Sequence, residues 1–211
     1  ELHLLSSPDM YAWRHEHTVR LGRDVREPRF LSLGDSLYLY FVSLGTSTFS
    51  FAPQAVYVCT RQDTGWRHQQ VPGLAGFVPW RLRPHPSKAG TGLLSAYDGR
   101  GLYSSDHQGQ QRLYRTTDGR HFRPITPEPQ ANQPGVEEGA FVFDTLGNLW
   151  GTLRMEGGGG ALVHARRGQL GKWQLKRLKK KYDSALLFRH QGAIYLIARR
   201  HAPGRADRMP K

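Results

Sequence analysis

The chain lacks several features common in proteins of 211 residues. It has one cysteine, Cys59, so no internal disulfide is possible, and the neighbouring Val56 and Val58 mark a strand in which the thiol packs rather than reacts. No apolar run approaches the ~18 residues of a membrane span. No long stretch repeats with helical period, which excludes a helical bundle. Acidic residues are scarce, 17 against 30 Lys and Arg, leaving a net charge of +13. Such a surface attracts polyanions, among them nucleic acid, anionic glycans and acidic lipid heads. The densest run, KRLKKKYD from Lys176 to Asp183, has no zinc-finger spacing, RNA-binding aromatic signature or P-loop beside it. Sequence-specific nucleic-acid binding is therefore not expected. The 10 histidines show no convincing ligand spacing, so neither a metal nor a cofactor is expected. The stretch GGGG, Gly157 to Gly160, lacks the strand-loop-helix setting of a phosphate loop and reads as a turn. No nucleophile elbow marks a Ser/His/Asp triad. No secretory leader is visible, and a chain opening on Glu1 rather than Met reads as a processed or excised piece.

Strand and turn residues are plentiful: 24 Gly, 13 Pro, 9 Tyr, 9 Phe and 5 Trp. That mixture favours many short strands. RFLSLGDSLYLYFVSL, GAFVFDTLGNLWGTLR and ALLFRHQGAIYLIARR share one shape, an apolar run, a Gly turn and a second apolar run. Each reads as a hairpin. The first two are followed by a further strand pair, AVYVCTRQDTGWRHQQV and ALVHARRGQLGKWQLKRL. The outer pairs carry a marker. Ser7, Asp9 and Trp13 fit [S/T]-x-D-x-x-x-[aromatic], as do Thr116, Asp118 and Phe122, with Trp66 and Trp173 in looser copies. The four aromatics lie 53, 56 and 51 residues apart. An Asp side chain caps a tight turn and an aromatic packs between sheets. A period near fifty with four strands per unit is a propeller pattern.

The expected fold is therefore all-β, a single β-propeller domain over 1–211 with four-stranded antiparallel blades. Blades are expected at 26–72, 77–126 and 137–178. The segment 1–22 supplies two outer strands and 183–200 two inner strands. Those halves either complete one another in a ring of four or belong to different blades of a larger ring. Inner strands line the axis of a propeller, so residues at their leading ends converge. Counting from the aromatic markers gives Arg26 and Glu27, Trp80 and Arg81, Glu137 and Glu138, and Asp183, at offsets of 13–14, 14–15, 15–16 and 10 residues. Carboxylates beside arginines and a tryptophan suit sugar recognition and cleavage. Paired carboxyl groups ~5–5.5 Å apart serve retaining glycosidases and ~6.5–9.5 Å inverting ones. The other reading is that these residues satisfy one another around a wet channel.

These segments resemble the bacterial sialidase-like propellers of the exo-sialidase superfamily. LLSSPDMYAW and LYRTTDGRHF resemble that family's Asp-box turns. REPRF resembles an Arg-Asp-Pro element opening an inner strand. WRLRPH with LLSAYDG resembles a Trp-Arg blade opening, EEGAFVFDTLGNLWGTLRMEG a Glu-x-x-Phe, Leu-x-Arg blade, and ALLFRHQGAIYLIARR a later strand pair. The resemblance implies five or six blades, hence segments before Glu1 and after Lys211, and a secreted or periplasmic setting. It also implies an arginine triad for a sugar carboxylate, a Tyr nucleophile with a Glu base, and an Asp acid. By position Arg26, Arg81, Arg154 and Arg199 are the arginine candidates. Glu138 matches the family's Glu, with Glu137 its rival, and Tyr182 and Tyr97 are the nominees for the Tyr. Glu27 stands where Asp is usual, and the added methylene displaces its oxygens by ~1 Å. The expected catalytic set is Glu138, Glu27 and Asp183. The expected binding set is Arg26, Trp80, Arg81, Glu137, Arg154 and Arg199, acting on a glycan or acidic sugar. The alternative is a non-catalytic basic propeller that docks on an anionic macromolecule through Lys179, Lys180 and Lys181.

Overall fold

A computed structural model describes residues 1–46, 51–63, 65–102, 108–156 and 158–200; Gly157 of the four-glycine turn lies outside them. Among the described residues there are seventeen strands and no helix. Strands β1 (Leu2–Ser6) and β2 (Arg14–Val19) form a two-stranded sheet. Strands β3 (Val25–Leu33), β4 (Ser36–Ser43), β5 (Ala55–Gln62) and β6 (Gly65–Gln70) form a four-stranded meander. The next sheet has β7 (Phe77–Pro84), β8 (Gly92–Asp98), β9 (Gln108–Thr116) and the short β10 (Arg123–Pro124). An unexpected strand, β11 (Ala131–Pro134), pairs with the first part of β9. Then come β12 (Val136–Phe143), β13 (Leu149–Met155), β14 (Gly160–Ala165) and β15 (Gln174–Leu178), followed by the pair β16 (Tyr182–His190) and β17 (Ala193–Arg200). Every pairing is antiparallel between neighbours in sequence, β11 excepted. This is the architecture of β-propeller blades, as the fifty-residue period implies.

Local chemistry sets the turns. Gln191 and Gly192 both have positive φ, 48° and 82°, between paired His190 and Ala193. That is the two-residue turn whose twist matches a hairpin. The marker turns are built alike. Asp9 Oδ1 accepts from the amides of Tyr11 and Ala12, while Ser7 Oγ accepts from Met10. Asp118 Oδ1 accepts from Arg120 and His121, while Thr116 Oγ1 accepts from Gly119. The looser copy at Trp173 keeps one element: its indole donates to the Leu170 carbonyl at 2.9 Å, as Trp13 does to Met10 at 3.2 Å.

The sheets pack face to face through four apolar clusters. Leu4 and Val19 meet Phe41, Cys59 and Trp66. Leu31, Tyr40 and Val58 meet Leu82, Tyr114 and Phe122. Leu93 and Leu113 meet Phe141, Leu153 and Trp173. Trp66, Phe122 and Trp173 therefore each pack on the sheet before their own, whereas Trp13 is exposed. Phe122 stands edge-on to Tyr40 at 5.6 Å, and the Tyr40 hydroxyl donates to the Gly119 carbonyl at 2.7 Å. Burying a side chain such as Phe41 or Phe141 stabilises the fold by roughly 1.5–3 kcal/mol. The fourth cluster joins Val78, Trp80, Val142, Ala185 and Leu187, from β7, β12 and β16. Strands β3, β7, β12 and β16 lie against one another in that order. They are the innermost strands, and they position the site.

Candidate functional site

All four inner strands carry the same irregularity. Pairing of β3 with β4 slips between Arg26 and Arg29, β7 with β8 between Pro79 and Arg81, β12 with β13 between Glu137 and Ala140, and β16 with β17 between Asp183 and Leu186. Each inner strand holds one extra residue, which is a β-bulge near its leading end. Three bulges contain a non-glycine residue with left-handed φ: Glu27 at 57°, Glu138 at 51° and Ser184 at 52°. That conformation costs an L-residue about 1–2 kcal/mol. One bulge is held by a buried side chain: Gln111 accepts from the Gly139 amide at 3.0 Å and donates to Ser95 at 2.7 Å. A Cβ at Gly139 would sit 2.5 Å from the Gln111 side chain, so the contact requires glycine.

Two groups of charge form at the bulges. The first surrounds Arg154 on β13. Its Nη1 donates to Glu138 Oε1 at 2.7 Å and its Nη2 to Glu156 Oε2 at 2.6 Å. Glu137 Oε1 and Asp183 Oδ1 each lie 3.2 Å from its Nε, in ion-pair range but outside hydrogen-bond geometry. Lys181 Nζ reaches Glu156 Oε2 at 2.9 Å, and Arg199 Nη2 lies 3.5 Å from Asp183 Oδ2. Burial pushes the Glu137 carboxyl up to about 8, against the pull of Arg154 and helped by Glu138 and Glu156. The protonated acid donates to Glu156, whose own carboxyl is held low, against burial, by Lys181 and Arg154. Burial also opposes the charge on Arg154, yet Glu137, Glu138 and Asp183 keep it above its ordinary value.

The second group lies between β3 and β7. Arg29 Nη2 donates to Glu27 Oε2 and its Nε to the Trp80 carbonyl, both at 2.6 Å, with its guanidinium 4.8 Å above the Trp80 ring. Arg81 Nη2 donates to the Ala185 carbonyl at 3.0 Å. Arg83 donates to the carbonyls of Phe141, at 2.9 Å, and Leu187. Burial, with Arg29 and Arg83 nearby, lowers the Arg81 guanidinium to about 10, opposed by Glu27. Among the described residues, buried Arg81 Nε and Trp80 Nε1 have no hydrogen-bond partner. The two groups meet on β16: Ala185 holds Arg81, and the Ser184 amide donates to Glu138 Oε2 at 2.6 Å.

The structure thus brings Glu137, Glu138, Arg154, Asp183 and Arg199 together, and Glu27, Trp80 and Arg81 beside them. Arg26 is turned away from both groups and donates to Asp24 at 2.6 Å. Lys181, expected on a solvated basic run, is buried against Glu156. Arg29, Arg83, Glu156 and Lys181 were not anticipated. Strand alternation carries a signal for two of them, since Arg83 follows Arg81 and Glu156 follows Arg154 at the two-residue spacing of one face. Sizeable clefts lie elsewhere, one of about 600 Å³ beside Asp35, Arg61 and Asp63 and two, of about 530 and 1040 Å³, toward the far ends of the inner strands, and none is lined by Glu27, Glu138 or Asp183.

No family sequence profile matches the chain, and no curated protein matches it in sequence. Solved structures do. A protein of unknown function from Dyadobacter fermentans superposes with a TM-score of 0.65 at 14% identity, over 99% of this chain and 70% of that one. A Bombyx mori GH32 β-fructofuranosidase gives 0.60 at 13% identity, over 93% of this chain and 47% of the enzyme. A Trypanosoma rangeli sialidase, solved with sialic acid, gives 0.58 at 10% identity, over 90% of this chain and 37% of the enzyme. The chain spans less than half the length of either enzyme. At these identities the likeness speaks for the fold alone, which is that of a β-propeller.

Proposed function

We propose that the chain is part of a glycosidase-like propeller that binds an acidic or substituted sugar where its inner strands begin. In this reading β1–β2 and β16–β17 are halves of incomplete blades, and the marker turns are degenerate Asp boxes. One observation carries the proposal: Glu27 and Glu138 occupy matching bulges, each held in a left-handed conformation that its side chain does not favour. Strain of this kind persists where surrounding structure enforces it, and it clusters at functional sites. Glu138 and Glu27 supply the carboxyl pair that glycoside cleavage needs, with Asp183 a third. Glu137 holds a proton near neutrality beside them. Arg154 and Arg199 fix the carboxylates. Arg81 and Trp80, whose buried donors lack partners among the described residues, receive the sugar's anionic or hydroxyl groups. Glu138→Gln and Arg81→Ala are expected to abolish turnover of fluorogenic glycosides or sugar binding, with circular dichroism unchanged. Unchanged activity in both variants rejects the assignment.

A second reading is favoured by the full engagement of Arg154 with carboxylates. Here the axial charges satisfy one another and the protein is a non-catalytic scaffold for an anionic partner. Its docking then weakens with salt and is indifferent to Glu138→Gln.

A further inference from the structure

The two clefts share Ser87 and Arg167 in their walls and so adjoin. The smaller, about 530 Å³, opens at the far end of the inner strands beside Arg83, Phe143, Phe188 and Arg189. The larger, about 1040 Å³, runs outward past Lys88, Arg115, Arg123 and Lys172. Their carboxylates are already occupied. Asp144 accepts from Leu146, Asn148 and the Trp150 indole, and Asp118 from its own turn and the His121 ring. Among the described residues, the Lys and Arg side chains of both clefts form no ion pair. At the other end Arg26, Arg29, Arg100, Arg154 and Lys181 each have a carboxylate partner. The Lys and Arg side chains that line the two clefts thus stand without acidic partners, while the carboxylates beside them are turned onto their own loops. Arg115 and Arg123 even face each other directly across β9 and β10. Like charges so placed lower stability, and a bound anion relieves the repulsion.

Two adjoining clefts suit an extended anion rather than a single ion. Thr91, Thr117, Thr126 and Gln169 line the larger cleft, whose rings are the imidazoles of His85 and His121, while Phe143 and Phe188 belong to the smaller one. Hydroxyl and amide side chains match sugar hydroxyls, and no Phe, Tyr or Trp of the kind on which nucleic-acid bases stack lines the larger cleft. We infer that this far face is a binding groove for an acidic polysaccharide, distinct from the bulge site and independent of turnover there.

The test is binding of a heparin-derived octasaccharide by calorimetry at two salt concentrations, with a dT20 oligonucleotide as the comparison. The groove variant combines Arg115→Ala, Arg167→Ala and Lys172→Ala, all exposed residues. The control removes as many exposed charges from the other end, with Arg23→Ala, Lys179→Ala and Lys180→Ala. The groove variant is expected to weaken binding about tenfold or more, the control less than about twofold. Equal loss in both triple variants overturns the groove in favour of diffuse charge. Tighter binding of dT20, with the same dependence on the groove, overturns the saccharide assignment. Absence of octasaccharide binding overturns both.

Discussion

Glu137 holds its proton at neutral pH because its surroundings offer little water and two further carboxylates. The consequence for stability has a definite sign. Its folded value of about 8 lies above the ordinary 4.5, so between those limits the folded state binds more protons than the unfolded chain. Stability conferred by this group is full below the lower limit and falls as pH rises through about 8. Chemical denaturation at pH values across that window should show a decline on the order of 1–4 kcal/mol. Glu137→Gln keeps a donor toward Glu156 but cannot ionise, so it should flatten the profile. A profile equally steep in the variant would show that another group titrates. Gln111 acts by position. Gln111→Leu leaves the Gly139 amide without its acceptor and should cost about 1–3 kcal/mol, read by urea unfolding.

At the scale of elements, the bulge is the recurring device. Ser184 makes its cost measurable, because its side chain is exposed while its amide holds Glu138. Ser184→Gly keeps the amide and relieves the left-handed backbone, so it should raise the melting temperature by the equivalent of roughly 0.5–1 kcal/mol. Ser184→Val should lower it by at least as much. The hairpins were legible in sequence because RFLSLGDSLYLYFVSL and its two relatives place alternation and turn residues within sixteen positions. The marker turns were legible because Asp9 and Asp118 act on amides two and three residues ahead. The arginines were legible only in part. An extra residue in a strand reverses which side chains face the axis, so Arg29 takes the place expected of Arg26 beside Trp80. Lys181 was hidden for another reason. Its partner Glu156 lies 25 residues away on a different strand, and a run of lysines read locally looks solvated.

For the whole molecule, the sheet formed by β16 and β17 is the exposed end of the described structure. Leu186 pairs directly with Ile197, and both are open to solvent, as is Tyr195 on the same face. A contiguous apolar face of this kind promotes association. Leu186→Thr with Ile197→Thr should reduce concentration-dependent light scattering while shifting the melting temperature little. Scattering that stays as high would place the sticky surface elsewhere. Sequence period alone revealed the repeated sheets, since Trp66, Phe122 and Trp173 each pack on the sheet before their own. That the basic side chains of the two clefts lack acidic partners was not legible, because it depends on which carboxylates fold back into their own turns.

The amide of Ser184 hands its hydrogen to Glu138 across the gap between two sheets. Chemistry at that carboxylate is thereby tied to how firmly the last hairpin is held. Any guest that competes for the Glu138 oxygen must loosen this fastening, and any guest that reinforces it must slow deuterium uptake at Ser184. Because such linkage is reciprocal, a single backbone hydrogen reports on occupancy of the axis without any label on the guest.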